Sequence, residues 1–441
     1  MNIHIDLPEN VLFILEKFEE YGSIGYVVGG CVRDSILGKV PNDWDICTPL
    51  LPNVVKSIFK DFHTVDTGIK HGTVTVIIND DSYEITTYRI DGIYSDGRHP
   101  DDVNYTDRLL DDLMRRDFTI NAMAYNPSTG LVDKFGGLSD LKYGIIRCVG
   151  SPYCRFKEDG LRILRAMRFA SVLGFTIEND TAEAMDRYRC MIDNVSKERI
   201  MTEIVKMLSS SNPHSLARIL RLHELIILHI FPCVNNAIDL SLGNDEIADC
   251  WDQTICIIRN TPNDEIVRLS ALFSDVTSVE NTEEILKESR FDNATVKCVT
   301  QLINRHELYH SLTGDFEKDG YLMRVILHEI GVEQAFRLVF LWRSNVKAKT
   351  NIGKYNRLRD IEFAENMIVK AIHEKQCFTL KELDISGDDL IEIGFKPGKD
   401  VGDTLNKLLQ EVLKEPFKNK KNWLLNWARK ELENASDEQM D

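Results

Sequence analysis

Apolar and polar positions change their spacing at about residue 150 of the 441-residue chain. Before that point, apolar runs of strand length alternate with amphipathic segments. The predicted helices are Pro8 to Tyr21, the segment that begins CVRDSILG, and Val54 to Phe59; the predicted strands are YVVGG, DWDICT, TVTVII and SYEITTYRI. Turn residues Asn79, Asp80 and Asp81 join the last two strands. The first third of the chain is therefore predicted to be a small mixed sheet with helices.

After residue 150, apolar residues recur every three or four positions in segments such as DGLRILRAMRFASVLGF and ERIMTEIVKMLSS. This spacing is typical of helices. The chain is therefore assigned to the α+β class, with a small mixed-sheet head followed by an elongated, all-helical neck, body and tail. The predicted divisions are a head at 1–145, a neck at 146–207, a body at 208–320 and a tail at 321–441.

The formal net charge of −17 argues against a general coat for nucleic acid, because phosphate binding needs lysine and arginine. Any RNA contact is expected on a local basic surface. The N-terminal residues are acidic where a signal peptide is basic, and no apolar run reaches the roughly 20 residues that span a bilayer. We therefore expect a cytoplasmic protein without a membrane partner. The sequence indicates no oligomeric state.

Gly29 and Gly30 follow an apolar strand and precede a helix that carries Arg33. Two glycines let backbone amides approach a phosphate closely, and Arg33 and the helix N-terminus add positive potential. The same pair is also common at tight turns that bind nothing. The residues alone leave both interpretations open.

Asp43 and Asp45 are two positions apart in the predicted strand DWDICT, so both carboxylates face the same side. Such a pair suits Mg²⁺, which prefers hard oxygen ligands. Glu84, on a neighbouring predicted strand, would complete three carboxylates around two metal ions about 4 Å apart. The alternatives are a solvated acidic turn for the two aspartates and an exposed strand face for Glu84.

The segment RRDFTINAMAY holds a further charged group. Arg115 and Arg116 can pair with phosphates, and Asp117 can position an arginine or cap a helix that follows. A simple charged helix start would contain the same residues. The motifs GGCVRD and DWD upstream favour the functional interpretation.

Four motifs in this order, GGCVRD, DWD, RRDFTINAMAY and EDGLRILRAMRF, resemble those of the class II tRNA nucleotidyltransferases of the polymerase-beta superfamily, bacterial type. The resemblance covers residues 24 to 205 and is looser beyond. It implies template-independent addition of C, C and A to the 3′ end of tRNA from CTP and ATP, with Mg²⁺ as cofactor and pyrophosphate as product. It implies tRNA as the partner and no DNA.

The resemblance also implies roles for individual residues. Gly30, Arg33 and Arg116 would contact the nucleotide, with Gly29 in the same turn, and Asp43 and Asp45 would hold magnesium. The matching positions in EDGLRILRAMRF are Asp159, Arg162, Arg165 and Arg168.

Asp159 and Arg162 are three positions apart in a predicted helix and offer an acceptor beside a fork of donors. Cytosine and adenine share an amino donor next to a ring-nitrogen acceptor, whereas uracil and guanine present a carbonyl and a ring N–H. One Asp–Arg pair can therefore accept C and A and refuse U and G, at about 1–3 kcal/mol for each unpaired polar group. Arg165 and Arg168 follow on the same side of the predicted helix. A basic amphipathic helix that packs on the body is compatible with the same residues.

Two further segments are similar to parts of the family. Residues 89–103 resemble the flexible loop that A addition requires, with Asp91 and Arg98 as candidates, or as solvated loop charges. SKERIMTEIVK resembles the neck-helix motif, in which Glu198, Arg199 and Glu203 would be structural and Ser196 would cap the helix.

Several alternatives stay open. An A-adding specialist and a poly(A) polymerase share the motifs of the head and neck; remoter alternatives are a non-catalytic tRNA-binding protein and a zinc protease. The last rests on HELYH at 306–310, predicted within a helix that begins near Asn304 and has no clear third ligand. Ser274 precedes Asp275 where a phosphohydrolase would have an HD pair, so that activity is not expected.

In the basic stretch 414–432, Trp423 and Trp427 either meet the elbow of tRNA or pack inward.

Overall fold

A computed structural model describes residues 3–66, 68–69, 72–92, 103–234, 250–349 and 353–437. The chain divides into two compact units. The first comprises residues 1–236 with 288–290, and the second comprises residues 237–287 with 291–441. The boundaries predicted at 145, 207 and 320, and the elongated arrangement, stay predictions.

A mixed sheet forms the centre of the first unit. Its strands are β1 Tyr26–Val28, β2 Ile46–Thr48, β3 His63–Val65, β4 Thr73–Ile78, β5 Asp81–Thr87, β8 Met123–Asn126 and β9 Gly130–Asp133. They lie in the order β3-β4-β5-β2-β1-β8-β9, and β2 and β5 are parallel while the other neighbours are antiparallel. A separate ribbon pairs β6 Arg89–Asp91 with β7 Val103–Tyr105.

Helices surround this sheet and continue beyond it. They are α1 Glu9–Glu20, α2 Gly30–Ile36, α3 Pro52–Ile58, α4 Leu109–Met114, α5 Gly137–Tyr143, α6 Pro152–Glu158, α7 Leu161–Leu173, α8 Asn179–Arg187, α9 Lys197–Leu208, α10 Pro213–Leu222 and α11 Glu224–Ile230. The strands β10 Ile145–Ile146 and β11 Thr176–Ile177 form a short parallel pair among them. The predicted neck is therefore helical except for this pair.

The hairpin β4–β5 shows how the sequence dictates the head. Val74, Val76 and Ile78 are buried and alternate with less buried residues, as half-buried strands require. Asn79 and Asp80 between the strands have positive φ angles of 53° and 68°, which a two-residue hairpin turn needs. The predicted hairpin is confirmed, except that Asp81 already belongs to β5 and that SYEITTYRI is divided between β5 and β6.

Two predictions about the head need correction, and three of its strands were missed. DWD is not part of a strand, because β2 begins only at Ile46. The segment after Asp117 does not form a long helix; a single 3₁₀ turn at Thr119–Asn121 leads into β8. The strands β3, β8 and β9 were not predicted, because their three or four residues are too few to show a period.

The second unit is built from helices in its described part. They are α12 Cys250–Asn260, α13 Glu265–Phe273, α14 Val279–Glu288, whose last residue belongs to the first unit, α15 Asn293–Ile303, α16 Phe316–Ala348, interrupted at Gly331, α17 Lys354–His373, α18 Gly387–Glu392, α19 Lys399–Lys414 and α20 Lys421–Asp437. The α+β class, with a mixed sheet followed by helices, is confirmed. Within the described ranges, no helix has the length and apolar character to cross a membrane.

Candidate active site

A pocket of about 480 Å³ lies in the first unit and is lined by five arginines and four aspartates among other residues. This volume is typical of small-molecule sites. Of the eleven residues predicted to act in catalysis or nucleotide binding, eight line the pocket: Gly29, Gly30, Asp43, Asp45, Arg116, Asp159, Arg162 and Arg165. The pocket thus gathers arginines in a chain with net charge −17, although aspartates balance most of their charge.

The glycine turn begins one wall. Gly29 precedes α2 with φ of +87°, a conformation that L side chains rarely adopt. A Cβ atom at Gly29 would lie 2.9 Å from Nη1 of Arg116. The position therefore needs glycine both for its backbone angle and for the close approach of an arginine to the main chain.

Asp43 and Asp45 line the pocket from the extended segment before β2. The carbonyl of Asp45 accepts a 3.0 Å hydrogen bond from the backbone N–H of Val28, which fixes the segment beside β1. Burial raises the pKa of Asp45 to about 6, and the nearby charges of Asp43 and Glu84 add to this effect while Arg116 opposes it. The two carboxylates therefore concentrate negative charge at one point.

Glu84 lies on β5, which pairs in parallel with β2 so that Ile85 is opposite Ile46. Glu84 and Asp45 each precede one member of that pair. Glu84 is exposed and is not among the residues that line the pocket. In the part of the chain that the structure describes, no three His, Cys, Asp or Glu side chains form a group that could hold a metal ion. The role of Glu84 as a third carboxylate stays a prediction.

A buried carboxylate that was not predicted orients the two arginines of RRD. Asp112 is completely buried; its Oδ1 accepts bonds of 2.9 and 2.8 Å from Nε and Nη2 of Arg115, and its Oδ2 accepts one of 3.3 Å from Nη2 of Arg116. Burial alone would raise the pKa of Asp112, but the charges of Arg116 and Arg115 lower it below its ordinary value. The sequence did contain a signal for this contact, because Asp112 precedes Arg115 by three residues and Arg116 by four, the spacings that bring side chains of a helix together. Nε of Arg116 is buried and has no hydrogen-bond partner among the described residues.

Asp117 positions an arginine, as one of its two predicted roles required. Its Oδ2 accepts from Nε and Nη2 of Arg165 at 2.8 and 2.6 Å, and its Oδ1 accepts from the amide group of Asn121 at 3.1 Å. Burial opposes ionisation, yet Arg165 and these hydrogen bonds lower the pKa of Asp117 to about 2. Asp117 is therefore an ionised anchor for Arg165, which lines the pocket.

Asp159 and Arg162 both line the pocket, but they do not share a helix. Asp159 has extended backbone angles in the linker between α6 and α7, and Arg162 lies in the first turn of α7. Nη1 of Arg162 bonds Glu158 at 2.6 Å, and Nη2 of Arg199 bonds Asp159 at 3.1 Å. Arg199, predicted to be only structural, thus lines the pocket and holds one of its carboxylates.

Arg33 and Arg168 lie beside the pocket lining. Arg33 donates two 2.8 Å bonds to Asp34 and one of 2.8 Å to Asn121, and Arg168 donates to Glu203. Phe169 lies between them and does line the pocket, although no sequence signal singled it out. Glu203 supports an arginine of the site, in agreement with its predicted structural role.

The remaining predicted features of the first unit have mixed outcomes. The backbone of Asp91 lies in β6, whereas Arg98 lies outside the described residues. Ser196 occupies the N-cap position of α9, but its side chain makes no capping hydrogen bond.

In the second unit, HELYH does not form the helix predicted from Asn304. The helix α15 ends at Ile303, and a turn and a 3₁₀ helix follow. Nε2 of His306 lies 3.3 Å from Oδ1 of Asp275, and Nδ1 contacts the carbonyl of Ile303 at 2.6 Å. Both ring nitrogens of His306 are therefore engaged within the protein.

The tryptophans of the basic stretch pack inward. Trp423 and Trp427 are partly buried against a core that contains Leu408, Val412 and Leu424. This packing confirms the second of the two interpretations of the tryptophans, and contact of the stretch with tRNA stays a prediction.

Three family models match the chain. Residues 25–147 match the poly A polymerase head domain, residues 174–238 match the RNA and SrmB-binding site of polymerase A, and residues 262–428 match tRNA nucleotidyltransferase domain 2. Together they cover the head, part of the neck and most of the second unit.

The chain is also similar to known proteins over nearly its whole length. It is 34% identical to a CCA-adding enzyme of Ligilactobacillus salivarius, covering 96% of this chain and 97% of the relative, and 33% identical to one of Pediococcus pentosaceus, covering 96% and 98%. Its structure is similar to that of the Bacillus stearothermophilus CCA-adding enzyme in complex with CTP, with a TM-score of 0.71, 26% identity and coverage of 97% and 98%. The Thermotoga maritima CCA-adding enzyme complexed with tRNA has a TM-score of 0.66 over 97% and 96% of the chains; its 20% identity supports a likeness of fold alone.

Proposed function

The chain belongs to the family of CCA-adding enzymes, and from this premise we propose that its pocket adds C, C and A to the 3′ end of tRNA from CTP and ATP without a template. One observation carries the assignment of the pocket. The carboxylates Asp43 and Asp45 line the same cavity as Asp159 and Arg162, more than 100 positions later in the chain. A centre for nucleotidyl transfer and a group able to choose a base are thus within reach of one nucleotide.

Asp43 and Asp45 fit a divalent metal ion. Burial raises the pKa of Asp45 and the charge of Asp43 raises it further, so a cation beside the two carboxylates would favour the ionised form of Asp45. Mg²⁺ keeps several non-protein ligands and is held by one or two carboxylates plus substrate phosphates, which agrees with a pair of aspartates. We assign the ion as Mg²⁺, with Glu84 adding negative charge beside Asp45. When bound, the ion supplies positive charge that favours ionisation of the 3′ hydroxyl and departure of pyrophosphate.

The triphosphate is held by the glycine turn and by arginines of the same pocket. The turn at Gly29 and Gly30 lets phosphate oxygens approach the main chain, and the guanidinium of Arg116, which lines the same pocket, adds positive charge. Arg165, oriented by Asp117, is the next donor. The 3′ oxygen of tRNA attacks the α-phosphorus in line. The bond from the α-phosphorus to the oxygen that bridges the α- and β-phosphates breaks, and pyrophosphate leaves towards these arginines.

Base choice is assigned to Asp159 and Arg162. An ionised carboxylate accepts the amino group that cytosine and adenine share, and a guanidinium donates to their adjacent ring nitrogen. Uracil and guanine would set a carbonyl against Asp159 and an N–H against Arg162. Glu158 and Arg199 hold this pair in place, so a protein surface can substitute for a template.

The primer is proposed to be tRNA, recognised by shape and phosphates rather than by base sequence. Residues 414–432, with lysines exposed around inward-packed tryptophans, are a candidate contact in the second unit. We propose the cytoplasm as the compartment of the reaction.

The experiment uses three tRNA transcripts that end before C74, after C75 or after the complete CCA end. Each is incubated with the protein and Mg²⁺, with CTP and ATP supplied separately and together, and the products are sized at single-nucleotide resolution. We expect three additions to the first transcript, one to the second and none to the third.

Other outcomes identify the alternatives. A single A on the second transcript, with none on the first, would identify an A-adding specialist. A long A tail on any RNA would identify a poly(A) polymerase. Binding of tRNA without any addition would overturn the enzymatic assignment.

A further inference from the structure

Three arginine side chains converge on the ring of Phe169. The guanidinium carbon of Arg168 lies 4.0 Å from the ring centroid, that of Arg33 lies at 5.1 Å and that of Arg165 at 5.3 Å. All three distances are within the roughly 6 Å over which a cation is attracted to an aromatic face. Arg33 belongs to α2, next to the glycine turn, whereas Arg165 and Arg168 belong to α7.

Three like charges at one place repel each other, so the cluster needs compensation. Carboxylates supply it: Arg33 bonds Asp34, Arg165 bonds Asp117 and also lies 3.9 Å from Glu203, and Arg168 bonds Glu203. Glu203 is shared by Arg165 and Arg168, but Arg33 has a separate partner, so no carboxylate is common to all three arginines. The ring of Phe169 is what the three guanidiniums have in common.

The ring itself is held firmly. Phe169 is 6% exposed, and it packs edge to face on Phe118 with centroids 5.8 Å apart. It lines the pocket, as Arg165 does, while Arg33 and Arg168 lie outside the lining. Phe169 therefore connects the pocket lining with Arg33 and Arg168, two of the arginines that the resemblance assigned to the nucleotide.

We propose that Phe169 is a positioning residue for the triphosphate: its ring holds the guanidinium of Arg165 at the pocket wall and those of Arg33 and Arg168 directly behind it. The inference rests on the proposed function, because the ligand it serves is the triphosphate of CTP or ATP. Both nucleotides carry the same triphosphate, so Phe169 affects the affinity for both equally and leaves the choice of base unchanged.

The test replaces Phe169 in the full-length protein by phenylalanines with one, two and three ring fluorines. Fluorine withdraws charge from the ring face while nearly preserving its shape, so the protein keeps its fold. The dissociation constants for CTP and ATP are measured by equilibrium titration with Mg²⁺, and the rate of addition is measured separately. We expect both dissociation constants to rise stepwise with each fluorine, by about 3-fold to 30-fold in total. The maximal rate should change less, and the affinity for tRNA should not change.

Phe59 is the matched control, because its ring is fully buried in the same unit and packs on Phe18 and Phe62. The same fluorinated series at Phe59 should leave nucleotide affinity unchanged. Phe169→Leu should match the trifluorinated protein, and Phe169→Tyr should restore most of the affinity.

The outcomes separate this inference from the proposed function. Dissociation constants that stay unchanged across the Phe169 series, or that rise equally in the Phe59 series, would overturn the role of the ring. If the protein binds CTP but adds no nucleotide, the proposed function fails. The change of the dissociation constants with the number of fluorines then still tests the role of Phe169. If it binds neither CTP nor ATP, both fail.

Discussion

Arg199 donates a hydrogen bond from Nη2 to Oδ2 of Asp159 across 3.1 Å, and the backbone N–H of Leu161 donates to Oδ1 across 2.9 Å. The first bond joins α9 to the linker between α6 and α7. Both oxygens of Asp159 are thereby fixed, and each keeps a second lone pair for a base amino group. A residue of the neck-helix motif thus orients the carboxylate that we assign to base recognition.

We predict that Asp159→Asn lowers the preference for CTP over UTP by about 10-fold to 100-fold, because the amide can donate to the carbonyl that the carboxylate refuses. Arg199→Gln should lower the preference by about 3-fold to 10-fold, the equivalent of one hydrogen bond. The measurement is the rate of addition of each nucleotide, divided by its apparent KM, to a tRNA that ends before C74.

Arg218→Gln is the control for Arg199, since Arg218 bonds the carbonyl of Phe175 and does not line the pocket. It should leave the preference unchanged. If Asp159→Asn relaxes selectivity and Arg199→Gln does not, Arg199 does not position Asp159 for recognition.

A second prediction separates the carboxylates. Asp43→Asn should reduce addition about 1000-fold at any Mg²⁺ concentration, because it removes a proposed metal ligand. Glu84→Gln should instead raise the Mg²⁺ concentration for half-maximal rate by about 3-fold to 10-fold, because Glu84 acts on Asp45 through its charge. Rates are measured across a Mg²⁺ titration, with tRNA affinity measured in parallel and expected to stay unchanged.

Glu16→Gln on the exposed face of α1 is the control for loss of a surface carboxylate. Complete inactivity of Glu84→Gln at saturating Mg²⁺ would instead make Glu84 a direct ligand. An unchanged Mg²⁺ dependence would reduce it to an exposed strand residue.

Local periodicity was sufficient to predict much of this fold. α1 and the hairpin β4–β5 follow from spacings of three to four and of two residues, which depend only on neighbours in sequence. The sheet order β3-β4-β5-β2-β1-β8-β9 does not, because it depends on pairing between strands far apart in the chain. The short strands β8 and β9 therefore went unpredicted.

The candidate site, like the fold, was predictable only in part. The motifs identify which residues can bind phosphate or metal, and eight of the eleven line one pocket. The sequence does not show which carboxylate each arginine meets. Asp112 went unnoticed as the anchor of Arg115 and Arg116, and Arg33 and Arg168 meet Phe169 beside the pocket. Such partners are chosen by tertiary packing.

A third prediction concerns the glycine turn. Gly29→Ala forces a side chain into φ of +87° and places Cβ 2.9 Å from Nη1 of Arg116. We expect a loss of stability of about 1–2 kcal/mol and a fall in CTP affinity of at least about 10-fold, because Arg116 must move. Thermal unfolding and equilibrium titration with CTP measure the two effects.

Gly22→Ala supplies the matched control. Gly22 has φ of +80° but nothing within 4 Å of the added Cβ atom. It should lose a similar amount of stability and retain nucleotide affinity. Equal losses of affinity in both variants would attribute the effect to general destabilisation rather than to the contact with Arg116.

The last prediction follows from the ion pair between Asp117 and Arg165. The pKa of Asp117 is lowered to about 2 in the folded protein, below its ordinary value of 3.8. A depressed carboxyl pKa stabilises the fold above the unfolded pKa, and this contribution is lost as pH falls through the folded pKa. Asp117→Asn should therefore cost about 2 kcal/mol at pH 7 and at pH 5, and progressively less between pH 4 and pH 2. Calorimetric unfolding of both proteins across this range measures it, with Asp6→Asn, almost fully exposed, as control. A difference that grows as the pH falls would have the wrong sign for an ionised anchor, and Arg165 would then need another explanation for its place in the pocket.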